Sequence, residues 1–173
     1  MLIVFTGNGK GKTTASLGQA VRAVGQGRNV LMIQFIKGPW KSGEDEIVMA
    51  NKSGQGSFEL KKMGLGFVGI LGDTLPIEEH AASARKALEL FKEELPKWDL
   101  IVLDEVNVAV SLGLLTAEEV LETVSDLAPG KIVLFTGRDA PETFLKRADL
   151  VTEMKEIKHP FNKKEFAKIA IEF

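Results

Sequence analysis

Three short groups of residues carry the side chains that could do chemistry. The first is Thr6-Gly7-Asn8-Gly9-Lys10-Gly11-Lys12-Thr13-Thr14. Glycines at alternate positions let a backbone fold back so that several N–H groups aim at one anion, and a helix starting there adds partial positive charge. Lys12 supplies a full charge and the Thr13 hydroxyl a ligand for Mg²⁺. Lys10 adds a second cation. Gly7, Asn8, Gly9, Lys10, Gly11, Lys12, Thr13 and Thr14 are therefore read together as a nucleotide-phosphate loop. The usual pattern has Gly where this chain has Thr6, and a Gly-rich connection is the plain alternative. The second group, Asp104-Glu105, closes an apolar run. One carboxylate there can hold Mg²⁺ directly or through water; a solvated acidic strand end or a helix cap competes with that reading. The third is Thr136-Gly137-Arg138, where the guanidinium can fork onto a phosphate or form a surface ion pair. Arg22 is a further nucleotide-binding candidate, with a structural role equally open.

Several chemistries are excluded. The 173 residues contain no cysteine, so disulfides, thiolate nucleophiles and Cys-ligated metal clusters are ruled out. The two histidines, His80 and His159, are far apart in sequence, which disfavours a His-rich metal site. His159, in Lys158-His-Pro-Phe161, invites a general-base role, but no partner is visible and a surface or packing role is preferred. His80 is expected to be solvated. A net charge of −2 argues against a bulk nucleic-acid binder. No apolar run approaches the roughly 20 residues needed to span a bilayer. No signal peptide is recognisable, and a cytoplasmic location is the default expectation.

The elements that must position these groups alternate between strand and helix patterns. Apolar runs at Leu2–Phe5, Asn29–Ile36, Leu100–Leu103, Lys131–Phe135 and Leu150–Met154 predict strands, with a sixth at Lys168–Ile171. Helical periodicity covers Thr13–Val24 and Pro76–Leu95, and Thr116-Ala-Glu-Glu119 is a capping box that starts another helix. A short helix begins near Pro141. Residues 38–72 hold eight of the seventeen glycines and little periodicity. They predict a long functional loop with a short strand near Phe58–Leu60. The expected fold is α/β: one three-layer, P-loop NTPase-like (RecA-like) domain over residues 1–173, with a mostly parallel sheet of about six strands. Ligands bind such sheets at the carboxyl ends of the strands, where all three groups fall.

Taken together, the chain resembles the phosphate-loop type of ATP:cob(I)alamin (corrinoid) adenosyltransferases. The resemblance spans nearly the whole chain. It includes Gly7-Asn-Gly-Lys-Gly-Lys-Thr-Thr14, Arg22-Ala-Val-Gly25, Gln34-Phe-Ile-Lys-Gly38 with Trp40, Gly43 and Glu44, and Gly66-Phe67. It continues through Val102-Leu-Asp-Glu105 with Asn107, Thr136-Gly-Arg138, Ala148-Asp149, Val151-Thr-Glu153 and Lys158-His-Pro-Phe161.

The resemblance implies transfer of the 5′-deoxyadenosyl group of MgATP to the cobalt of a reduced corrinoid, with release of triphosphate. It implies a nucleotide reversed in the loop, a homodimer and a reductase as electron donor. The nucleophile would be the reduced cobalt of the substrate, which suits a chain without cysteine. The cationic side chains Lys10, Lys12 and Arg138 would neutralise the leaving group, and Thr13 and Glu105 would hold Mg²⁺. Phe67 matches the aromatic that replaces the corrinoid's lower axial ligand; an ordinary core phenylalanine is the competing reading. Lys12, Glu105 and Phe67 are thus the expected catalytic residues.

Two departures from the family pattern stand out. Relatives often carry a Trp two residues after the aromatic, where this chain has Gly69, and Leu71 is a candidate to fill the space. Relatives also often carry an arm before the first strand, whereas Leu2 already begins a strand here. Shielding is then expected from the 38–72 loop or a partner subunit. Competing functions are an ATPase in which Glu105 polarises water, and a non-catalytic ATP-dependent corrinoid carrier or sensor.

Overall fold

Strands that are apolar at nearly every position must bury both faces, which requires helices on each side of a sheet. The computed structural model describes the chain except residues 39, 71, 161–167, 169, 172 and 173. Its six strands are β1 (Leu2–Thr6), β2 (Asn29–Gln34), β3 (Ser57–Lys62), β4 (Leu100–Asp104), β5 (Ile132–Thr136) and β6 (Leu150–Glu153). All pair in parallel, in the order β3-β2-β4-β5-β1-β6. The helices are α1 (Lys12–Gly25), α2 (Ile77–Glu94), α3 (Val106–Ser111), α4 (Ala117–Glu122) and α5 (Glu142–Arg147), with a short 3₁₀ turn at Gly43–Glu46.

Alternate strand residues feed two cores. Leu2, Val4, Leu31, Ile33, Ile101, Leu103, Val133 and Phe135 pack with Ala84, Leu88 and Phe91 of α2, Val106 of α3, Val120 of α4 and Phe144 of α5. Ile3, Val30, Met32, Leu100, Val102 and Leu134 pack on the other face against Ala20 and Val24 of α1. The period-two split of the strand residues between the two clusters makes three layers.

The helix signals correspond to physical caps. Thr116 accepts a hydrogen bond from the Glu119 amide at 3.2 Å and so N-caps α4; the Glu119 side chain accepts from the Thr116 hydroxyl at 2.9 Å and not from its amide, so only half of the expected capping box forms. Pro76 caps α2, one residue before its observed start.

The sixth strand is not the predicted one. Lys168 lies outside regular structure and Ala170–Ile171 form a turn; position 169 is outside the described residues. The place is taken by β3, longer than the Phe58–Leu60 segment read from sequence. β3 is an edge strand pairing with β2 alone, and its Ser-Phe-Glu-Leu-Lys-Lys sequence is half polar because one edge faces water.

The order of the strands sets the site. β5 separates β1 from β4, so the carboxyl ends of β1, β5 and β4 lie side by side. They deliver, respectively, the Gly7–Gly11 loop, Thr136–Arg138 and Asp104-Glu105.

Candidate active site

The loop after β1 is shaped by close backbone approach. Gly7 has φ +95°, and a Cβ on it would sit 2.5 Å from the Met154 carbonyl oxygen. A Cβ on Gly9 would lie 2.7 Å from the same atom, and the Gly9 amide donates to it at 2.6 Å. The segment after β6 thus props the loop, and the Glu156 amide adds a bond to Asn8 Oδ1 at 3.1 Å. Gly11, at φ +120°, precedes α1, whose first turn has no side-chain cap. Its amides are open to an anion.

Lys12 is 7% exposed and curls over this loop, donating from Nζ to the Gly7 and Gly9 carbonyls at 2.8 Å each. Burial lowers its pKa from the ordinary value, and Arg138 acts in the same direction, against the pull of Glu105 and Asp104.

Asp104 is the hub beneath the loop. It is fully buried, and its Oδ1 accepts from the Thr13 hydroxyl at 2.9 Å and the Thr136 hydroxyl at 2.7 Å. Its Oδ2 accepts from Gln34 Nε2 at 3.1 Å and lies 3.9 Å from Lys37 Nζ. Glu105 points elsewhere because the chain turns sharply there. Its φ of +63° is left-handed, and its amide donates to Thr136 Oγ1 at 3.0 Å. Burial, then the neighbouring Asp104, push the Glu105 carboxyl up to about 7.

Lys37 and Glu44 form a second layer, 2.6 Å apart. Burial opposes the charge on Glu44, but Lys37 and Gln34 hold its pKa down at about 2. Burial likewise opposes the charge on Lys37; Asp104, Glu44 and Glu105 outweigh it and keep its pKa above the ordinary value.

These groups surround a cavity of about 600 Å³. Its walls include Gly9, Lys10, Gly11, Lys12, Thr13 and Thr14, together with Lys37, Glu44, Glu105, Arg138 and His159. Four cationic side chains (Lys10, Lys12, Lys37, Arg138) facing one space suit a polyanion. Asn8 faces the 156 amide instead, and exposed Arg22 on α1 does not line the cavity. His159, expected on the surface or in packing, borders it.

Phe67 lines a second cavity of about 180 Å³ with Trp40, Leu65, Ile70, Gly72, Asp73 and Thr74. It is 46% exposed, not a core residue, and its ring stacks 5.6 Å from that of Trp40. Nothing lies within 4 Å of a Cβ placed on Gly69. Leu71 and Phe161 lie outside the described residues. His80, expected to be solvated, is instead 3% exposed, because Asp73 satisfies its ring nitrogen at 3.0 Å.

Sequence reasoning gave no role to Gln34, Lys37, Glu44 or Thr136 and no distinct one to Asp104. A signal existed for Gln34: in the parallel register it pairs with Asp104, so it had to reach the same end of the sheet.

The sequence profile of the ATP:corrinoid adenosyltransferase BtuR/CobO/CobP family matches residues 1–173. The chain belongs to this family. The corrinoid adenosyltransferase of Escherichia coli K12 is 37% identical over 175 residues, spanning all of this chain and 85% of that protein. Corrinoid adenosyltransferase CobA of Salmonella typhimurium gives the same identity and coverage. The corrinoid adenosyltransferase of Sinorhizobium sp is 35% identical over 176 residues, covering all of this chain and 80% of its own length. The α/β fold places the loop and the acidic pair at the carboxyl ends of β1 and β4, with β5 between them. Among the described residues no helix is long and apolar enough to cross a membrane.

The residues beside Thr13 fit a magnesium ion. Among the described residues no group of three or more His, Cys, Asp or Glu forms a ready-made metal cage. Mg²⁺ seldom uses one: it takes one or two carboxylates, a hydroxyl and substrate phosphate, and keeps water. Thr13 Oγ1, Asp104 and Glu105 are all hard oxygen donors; burial and Asp104 raise Glu105 against the pull of Lys12, Lys37 and Arg138, and a bound cation would favour its ionised form.

Proposed function

We propose that the chain transfers the 5′-deoxyadenosyl group of MgATP to the cobalt of a reduced corrinoid and releases triphosphate. The observation that carries this reading is one loop serving two cavities. Lys37 and Glu44 border the cationic cavity, while Trp40, between them in sequence, borders the aromatic one with Phe67. A polyanion and a large apolar ring are the two chemistries such a pair of cavities accommodates.

In the transfer, cob(I)alamin donates an electron pair to C5′ of the ribose. The C5′–O bond breaks and triphosphate leaves with that bond's electrons. Lys10, Lys12, Lys37 and Arg138, with the loop amides, take up the charge developing on the leaving group. Mg²⁺, when bound, supplies further charge neutralisation, with Thr13 and Glu105 as its holders and Asp104 fixing the Thr13 hydroxyl. Cobalt, C5′ and the leaving oxygen must lie in line, and such positioning contributes roughly 7–11 kcal/mol to lowering a barrier. Phe67 and Trp40 present an apolar surface to the corrin's lower side, which disfavours a polar axial ligand there. The same reading carries a homodimer, an external electron donor and a cytoplasmic setting.

One observation favours a second reading. A carboxyl at about 7 on the cavity wall is suited to polarising water, so Glu105 could support hydrolysis to ADP and phosphate. A single anaerobic incubation with MgATP and chemically reduced cobalamin separates the two. Adenosylcobalamin with triphosphate supports transfer. Orthophosphate released without a corrinoid requirement sinks it. Binding of both ligands without a new cobalt–carbon bond indicates a carrier.

A further inference from the structure

Buried His80 and half-buried Asp73 form a pair that the transfer chemistry does not use. Asp73 ties Gly69 to Leu75. Its Oδ2 accepts from the Gly69 amide at 2.8 Å and its Oδ1 from the Leu75 amide at 3.1 Å. Its own amide donates to the Ile70 carbonyl at 3.1 Å. The same Oδ2 meets His80 Nε2 at 3.0 Å, in the first turn of α2. An ionised carboxylate only accepts, so Nε2 carries the proton of that bond. The two amides and the histidine also hold the Asp73 carboxyl below its ordinary range, the Gly69 amide most strongly.

The side chains are 3% (His80) and 9% (Asp73) exposed. A buried polar pair is a weak stabiliser compared with apolar residues of similar volume, so its presence asks for another role. Its position supplies one. Ile70, Gly72, Asp73 and Thr74 line the aromatic cavity together with Trp40 and Phe67. Only Val68, packed on the main core, separates the turn from Phe67. Gly69, two residues after Phe67, is itself left-handed at φ +69°, with its amide on Asp73. The pair therefore determines how Phe67 and Ile70 face the cavity.

We propose that Asp73 and His80 are positioning residues for the corrinoid, clamping Gly69 and Leu75 to α2 so that Phe67 and Ile70 present one apolar surface to the ring beside Trp40. This inference rests on the adenosyl-transfer reading. The test measures KM for cob(I)alamin and for ATP separately in the full chain, with the fraction of four-coordinate Co(II) read spectroscopically in the presence of ATP. Absence of transfer by the unaltered protein overturns the functional reading itself. Given transfer, His80→Ala is expected to raise the corrinoid KM about tenfold and to reduce the four-coordinate signal, with the ATP KM within about twofold. His80→Gln, whose amide can still donate to Asp73, should recover most of the loss. Asp73→Asn sits in a turn and leaves the α2 core untouched. It should reproduce the corrinoid-selective effect even if the His80 variants do not fold. An unchanged corrinoid KM in folded variants overturns the proposal. So does an equal rise for both substrates, or no recovery with Gln.

Discussion

Thr136 donates its hydroxyl proton to Asp104 across 2.7 Å and accepts the Glu105 amide at 3.0 Å, so one hydroxyl on β5 orients both acids at the end of β4. Removing it leaves a buried acceptor and a backbone donor short of partners. Thr136→Val should cost about 1–3 kcal/mol of stability by urea unfolding. It should also lower the transfer rate, whereas Thr136→Ser should retain most of both. Equal stability of the Val variant and the unaltered protein would rule out the orienting role.

Lys12 offers the loop its charge from a largely buried position, already bonded to the Gly7 and Gly9 carbonyls. Lys12→Ala should weaken ATP binding by about 10²-fold in a calorimetric titration, the scale seen when a preorganised donor to a developing anion is deleted. Full activity in this variant would mean that the phosphate-loop assignment is wrong.

Glu105 makes stability depend on pH in an unusual direction. Its carboxyl titrates near the ordinary 4.5 when unfolded and near 7 when folded, so between those values the folded chain binds more protons. Stability of the nucleotide-free protein should fall as pH rises through this window, by on the order of 2 kcal/mol, and level off above it. Glu105→Gln should flatten the slope, as measured by denaturant unfolding at pH 5 and pH 8. Glu44 works the other way at lower pH. Its pKa of about 2 gives stability that is present above 4.5 and is lost as pH falls toward 2.

Two glycine substitutions should have opposite signs. In Gly9→Ala the new methyl meets the Met154 carbonyl at 2.7 Å and Lys155 backbone at 2.8 Å. Thermal unfolding should show a loss of about 1–3 kcal/mol, together with weaker nucleotide binding. Gly18 lies inside α1 with nothing within 4 Å of its Cβ position. Gly18→Ala should stabilise by about 0.5–1 kcal/mol, because helix formation then costs less backbone entropy.

The inner strands β1, β2, β4 and β5 are legible in the sequence because both faces are buried and the apolar signal is continuous, as in Leu100–Leu103. The phosphate loop was legible because glycine spacing and lysine chemistry are local. β3 was only half legible, since its Glu59 and Lys61 face outward from an edge strand and break the pattern. Lys168–Ile171 looked like a strand by composition alone. The acidic pair was found, but not the division of labour within it. That division follows from the left-handed turn at Glu105, which buries Asp104 under Thr13 and sends its neighbour to the cavity wall. The contacts of Lys37 with Glu44 and of Asp73 with His80 depend on how loops fold back, which no periodicity encodes.

The glycine loop spans residues 7–11, yet it leans on Met154 and Glu156, the latter bond joining residues 148 positions apart. β1 precedes both of its sheet neighbours, β5 and β6, in the chain. Its glycine turn is therefore unbraced until residues 150–156 have folded against it. In the adenosyl-transfer reading, loss of residues 150–156 should abolish nucleotide affinity even with every residue of the glycine loop intact.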